Sequence, residues 1–135
     1  SHSIELESQM VGILLVSHIQ SLADGTKDLA KMIAPSVPIV AVGGLPDGSP
    51  GTDVERIFSG LIEADQGDGV MIFMDLGSAV MSTEMALEFA PNEKHIMQNA
   101  PMVEGTIVAA SAIQAGSTLE EACKLVESQR NIDKF

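Results

Sequence analysis

Apolar and polar positions fall in alternating blocks along this chain. Val11–Val16 (VGILLV) is a short continuous apolar run, the pattern of a strand buried on both faces. Ser17 and His18 follow it. Leu22, Leu29, Ala30 and Ile33 then recur on one face at helical spacing, and Pro35 stops that helix. Val37–Val42 (VPIVAV) predicts a second strand, with Pro38 placed as at a strand start or a sheet edge. Gly43–Gly51 (GGLPDGSPG) carries four glycines and two prolines and reads as a loop.

Thr52 with Glu55 forms a capping-box pattern. Val54, Ile57, Phe58, Leu61 and Ile62 continue it as an amphipathic helix that ends at Asp65-Gln66-Gly67-Asp68-Gly69. Val70–Met74 (VMIFM) predicts a third buried strand. Asp75-Leu76-Gly77-Ser78 turns the chain into a helix over Ala79–Phe89, and Lys94–Gln98 is a short fourth strand. Glu104–Ala115 predicts a helix closed by Gly116. Ser117 with Glu120 opens a last helix with Leu119, Ala122, Cys123 and Val126 on its apolar face.

The order βαβαβαβαα predicts an α/β fold, an open and mainly parallel doubly wound sheet of about four strands with helices on both faces. In such sheets, sites form beyond the carboxyl ends of strands where the strand order reverses. An order of 2-1-3-4 puts that reversal between the first and third strands, whose ends carry His18 and Asp75.

Length and composition narrow the picture. The 135 residues make one domain, and a 45% hydrophobic content is enough for a core. No apolar run approaches the ~20 residues of a membrane helix. The first ten residues, His2 among them, read as a tag ahead of a start-type Met10, leaving 11–135 as the single domain. A formal charge of −12 argues against nucleic acid and anionic membranes as partners. Trp and Tyr are absent, which removes stacking platforms for bases. Cys123 is the only cysteine, so no internal disulfide forms, and a reducing, cytoplasmic setting is expected.

The strand ends carry the candidate chemistry. His18 stands at the entrance to a helix, whose unpaired N–H groups and partial positive charge would welcome a phosphoryl group on the imidazole. Asp75 could accept from one ring nitrogen and leave the other as a nucleophile. Gly77 and Ser78 open the next helix, and the glycine loop could approach from the side. Each residue also has a local reading. His18 could be a solvated structural histidine, Asp75 the cap of its turn, Ser78 a plain N-cap and the loop a mere connection. Thr52 is accounted for by its capping box. The eight methionines, Met71, Met74, Met81 and Met85 among them, read as core filling, and Cys123 as a small buried hydrophobe. His95 is assigned no role. The motifs of P-loops, dinucleotide folds, zinc sites and ester hydrolases are absent, and no metal or cofactor is called for.

Four segments in order, Val11–His18, Ala41–Thr52, Gly67–Ala86 and Ala100–Gly105, resemble the DhaM family. These are phosphotransfer subunits of phosphoenolpyruvate-dependent dihydroxyacetone kinases, related to enzyme IIA domains of the mannose class. The resemblance implies a homodimer and a phosphotransferase role. A histidine matching His18 takes phosphate from HPr, and an aspartate matching Asp75 hydrogen-bonds it. Gly43, Gly44, Thr52, Gly77 and Ser78 match residues around the phosphoryl group. Phosphate then passes to ADP on the nucleotide-binding subunit, and a further subunit binds dihydroxyacetone. Ile19 and Asp53 stand where the family commonly has serine. The length leaves no room for the HPr and enzyme I domains that some relatives carry. The alternatives are a regulatory interaction module of the same type and a mannose-class sugar-transport enzyme IIA.

Overall fold

A computed structural model of the chain describes residues 9–131 and 133–135. His2 and the greater part of the expected tag lie outside the described residues. Met10 lies within them: it packs against the core, and its N–H donates to Gln66 Oε1 at 3.2 Å.

The elements run β1 Gly12–Ser17, α1 Gln20–Ile33, β2 Ile39–Gly43, α2 Val54–Ala64, β3 Val70–Met74, α3 Gly77–Phe89, β4 His95–Met97, α4 Met102–Gln114 and α5 Leu119–Ser128. The four strands form one sheet in the order β2-β1-β3-β4, and every pair is parallel. This is the expected α/β architecture and strand order.

Side-chain alternation along the central strands sorts the core into two layers. Ile13, Leu15, Met71 and Phe73 face α1, α4 and α5. Leu14, Val16, Val70, Ile72 and Met74 face α2 and α3. Both strands are buried along their whole length, which explains their unbroken apolar runs.

Several local expectations are corrected. The packed face of α1 is Ala23, Thr26 and Ala30; Leu22, Leu29 and Ile33 are exposed. α3 likewise packs through Ala79, Thr83 and Ala86, leaving Met81 and Met85 exposed, so these two methionines do not fill the core. Small side chains let both helices lie close to the sheet. The caps sit one residue later than expected. Asp53, not Thr52, caps α2 by accepting from the Arg56 N–H at 3.0 Å. Thr118, not Ser117, forms the capping box with Glu121.

Close approach of strand to helix has a testable consequence. A Cβ on Gly12 would lie 2.1 Å from the Ala64 carbonyl oxygen, so backbone must move to admit it. Gly12→Ala is expected to destabilise the fold by about 1–3 kcal/mol. A urea melt checks this, and an unchanged midpoint would contradict the tight contact between β1 and the end of α2.

Candidate functional site

The parallel register brings the site together. Val16 pairs with Met74 and Ser17 with Gly43, so the chain leaves three neighbouring strands at one level. His18, Gly44 and Asp75 occupy the first positions beyond. The Asp75 N–H extends the ladder by donating to the Val16 carbonyl at 3.1 Å.

The Asp75 carboxylate accepts four hydrogen bonds. Its Oδ1 takes the His18 Nδ1–H at 2.9 Å and the Leu76 N–H at 2.7 Å. Its Oδ2 takes the Ser17 hydroxyl and the His18 N–H, each at 2.9 Å. Burial pushes this carboxyl up, but the donors from His18, Ser17 and Leu76 outweigh it and hold it below its ordinary 3.8. Asp75 is therefore ionised near neutral pH. Its local bond reaches only the neighbouring Leu76 N–H, and α3 starts without a side-chain cap, so Asp75 is not the helix cap that its sequence position also allowed.

An acceptor at Nδ1 places the ring proton there and leaves the lone pair on Nε2. The His18 side chain is 21% exposed, against 11% for Asp75. Nε2 faces the Ser78 hydroxyl. Ser78 is thus not the cap of α3: that position is Leu76, which has no capping side chain. α1 and α4 also start without a side-chain cap, at Ile19 and Pro101, whereas α2 and α5 both have one. Gly77 and Ser78 lie in the first turn of α3, where N–H groups have no intrahelical acceptor. Exposed Ile19 follows His18 in the chain, and exposed Leu76 follows Asp75.

The glycine loop lies against this centre, but its N–H groups are committed elsewhere. Gly43 donates to Gln20 Oε1 at 2.9 Å, Gly44 to the Ser17 carbonyl at 3.2 Å, and Gly51 to the His18 carbonyl at 2.9 Å. A side chain at Gly43 would sit 2.7 Å from the Gln20 backbone, and Gly44 has φ +71°. These glycines provide close approach. Thr52 hydrogen-bonds Ser82 at 2.6 Å, one helical turn beyond Ser78.

Sequence reasoning missed Ser17, Gln20, Arg56 and Ser82. Ser82 had a signal, the i+4 spacing from Ser78. Arg56 had a fainter one, as one of two arginines in an acidic chain. Its guanidinium donates to the carbonyls of Gly43 at 2.6 Å and Gly44 at 2.7 Å, and to Gln20 Oε1 at 2.9 Å.

The remaining candidates lie elsewhere. His95, at the opposite end of the sheet, pairs through Nε2 with Asp65 at 2.7 Å. Cys123 is half-buried on α5, and burial pushes its thiol up. A hollow of about 670 Å3 also lies at the amino end, beside Val11, Asp68 and Lys94, and touches none of the His18 cluster. A smaller one of about 360 Å3 opens next to Asp75, between Leu76 and Met97. Among the described residues, no helix is long and apolar enough to cross a membrane, and no three His, Cys, Asp or Glu side chains group as metal ligands.

Comparisons with known proteins identify the family and the fold. The EIIA-man family model, described as the PTS system fructose IIA component, matches residues 12–123. The phosphotransferase subunit DhaM of a PTS-dependent dihydroxyacetone kinase from Lactococcus lactis subsp. lactis is 37% identical, over 81% of this chain and 87% of its own length. The phosphoryl donor subunit DhaM of PEP-dependent dihydroxyacetone kinase 1 from Listeria innocua serovar 6a is 40% identical, over 76% of this chain and 82% of its own. A crystal structure of a protein of unknown function superposes with a TM-score of 0.84 at 30% identity, covering 94% of this chain and 99% of the other. The strand order, the matched span and these relatives together place the chain in the EIIA-man family of phosphotransferase-system components, among the DhaM phosphoryl donor subunits.

Proposed function

We propose that this protein is a phosphohistidine carrier that accepts phosphate from HPr and passes it to ADP on the nucleotide-binding subunit of a dihydroxyacetone kinase. One observation carries the reading. Asp75 holds His18 by Nδ1, which leaves Nε2 directed at the uncapped start of α3.

His18 Nε2 attacks the phosphorus of the donor phosphohistidine. The bond to the donor nitrogen breaks as the bond to Nε2 forms. The Nδ1 proton stays in place, and the Asp75 carboxylate stabilises the positive ring that develops. The Ser78 hydroxyl turns from Nε2 to a phosphoryl oxygen, and the N–H groups of Gly77 and Ser78 hold the others. Gly43 and Gly44 form the near wall. Thr52, through Ser82, keeps the end of their loop on α3. The reaction gains most from positioning.

The acidic surface suits docking on basic faces of the partner proteins, the nucleotide-binding and substrate-binding subunits among them. The reading includes a cytoplasmic homodimer, for which exposed Met81, Met85 and Phe89 on α3 offer apolar surface. Overall, the chain acts as the phosphoryl-carrier subunit of a phosphoenolpyruvate–glycerone phosphotransferase.

The test is reconstitution. Incubation with phosphoenolpyruvate, enzyme I and HPr is expected to add one acid-labile phosphoryl group, read by intact mass near neutral pH. Adding the ADP-loaded nucleotide subunit and the dihydroxyacetone-binding subunit is expected to yield dihydroxyacetone phosphate. No phosphate on the chain while HPr is phosphorylated would overturn the carrier role. A phosphorylated chain that yields no product, yet loads a sugar-specific IIB protein or switches a binding partner, would replace the kinase with one of the alternatives.

A further inference from the structure

Arg56 stands on α2, 38 residues along the chain from His18, yet its guanidinium is spent on the walls of the histidine site. Its Nη1 donates to two consecutive carbonyls, Gly43 and Gly44, and its Nη2 to Gln20 Oε1. Gln20 opens α1 two residues after His18. The same side chain accepts from the Gly43 N–H and donates to the Ala41 carbonyl at 3.1 Å. One cation therefore ties together the end of β2, the glycine loop and the start of α1. Among the described residues, Arg56 makes no ion pair, although Asp24, Asp53, Glu55 and Glu63 share its cavity. Its charge is directed at two backbone carbonyls and one side-chain amide oxygen.

The loop fixed in this way is what holds the backbone on both sides of the His18 ring. Gly44 donates to the Ser17 carbonyl and Gly51 to the His18 carbonyl. Asp75 fixes the ring, and the loop fixes the peptide groups that carry it. From this geometry we propose that Arg56 is a positioning residue for phosphoryl transfer: it clamps the glycine loop and Gln20, and through them sets where His18 Nε2 stands. The inference rests on the carrier reading above. The planar fork suits the task because two donors on one nitrogen reach adjacent carbonyls while the other nitrogen reaches the amide. A lysine reaches fewer acceptors at once.

The test uses the whole chain, with phosphorylated HPr as donor, in single-turnover uptake at several donor concentrations. Arg56→Gln is expected to lower the limiting uptake rate about 10- to 100-fold, the scale of a small misplacement of a reacting atom. The half-saturating donor concentration is expected to stay unchanged. Arg56→Lys should restore part of the rate, and Arg130→Gln, on the exposed far end of the chain, should match wild type. Amide exchange read by NMR gives a second measure that needs no donor. In Arg56→Gln the Gly44 and Gly51 amides should exchange faster, while Leu14 and Val16 in β1 stay as protected as in wild type. If that variant does not fold, Gln20→Met, which removes the shared amide, is expected to show the same pattern.

An uptake rate equal to wild type would overturn the clamp. So would a change confined to the half-saturating concentration, which would make Arg56 a docking residue. Faster exchange through β1 as well would make it a residue of the fold at large. If wild type itself takes no phosphate from HPr, the carrier reading fails instead, and the exchange pattern still decides whether the clamp exists.

Discussion

His18→Ala is expected to remain folded and to take up no phosphate. The substitution removes one of the four donors to Asp75; the Leu76 N–H, the Ser17 hydroxyl and the residue 18 N–H remain. The carboxylate is not left unsatisfied, so the stability cost is about 1 kcal/mol. Uptake has no substitute route through His95, whose Nδ1 is buried and whose Nε2 is held by Asp65. Intact mass after incubation with phosphorylated HPr, with a denaturant melt on the same sample, checks both halves. Phosphate on the folded alanine variant would move the acceptor to another side chain, with Ser78 the first to examine.

Asp75→Asn has the next largest expected effect, because it disturbs the tautomer and not the shape. The amide oxygen can keep the Ser17 hydroxyl and the His18 N–H. The amide nitrogen then stands where Oδ1 was, opposing the Leu76 N–H and facing Nδ1 as a donor, which shifts the ring proton to Nε2 and removes the lone pair that attacks in the proposed transfer. Turning the amide over instead sets a donor against the Ser17 hydroxyl and the His18 N–H. Uptake is expected to slow by about 10²–10⁴-fold, the range for losing an orienting carboxylate or a proton-transfer partner. The same variant reports on stability. Asp75 has a folded pKa below 3.8, so its stabilising contribution is complete above that value and is lost as pH falls through the folded value. The wild type should exceed the variant near neutral pH, and the gap should close in acid. Urea melts across pH check the sign; a gap that widens in acid would contradict the pairing.

The layers and strand order were legible because β1 and β3 are buried on both faces and leave unbroken apolar runs. The helix faces were less so. α1 and α3 pack through Ala23, Ala30, Ala79 and Ala86, while larger apolar residues stand outside, so weighting by size selects the wrong side. The caps slipped by one because Thr52-Asp53 and Ser117-Thr118 each offer two adjacent capping residues, and only the path of the chain chooses between them. His18 and Asp75 were legible as polar residues that end adjacent strands. The direction of the glycine N–H groups was not, since Gly43 and Gly44 answer to Gln20 and Ser17 across the sheet end. Arg56 was hidden for the same reason: its partners lie 12 to 36 residues away in sequence.

If His18 carries the phosphoryl group as proposed, the uncapped start of α3 would give the carrier an economical way to signal its load. A phosphoryl group on Nε2 would fill the role that Asp53 and Thr118 fill on α2 and α5, in a place where sheet register already fixes the surrounding backbone. The loaded and empty proteins would then share one shape and differ in local charge. A partner built for this surface would tell them apart as one tells two copies of a key by polarity rather than by cut. The donor would meet an unmet electropositive helix end, and the acceptor an anion already seated there.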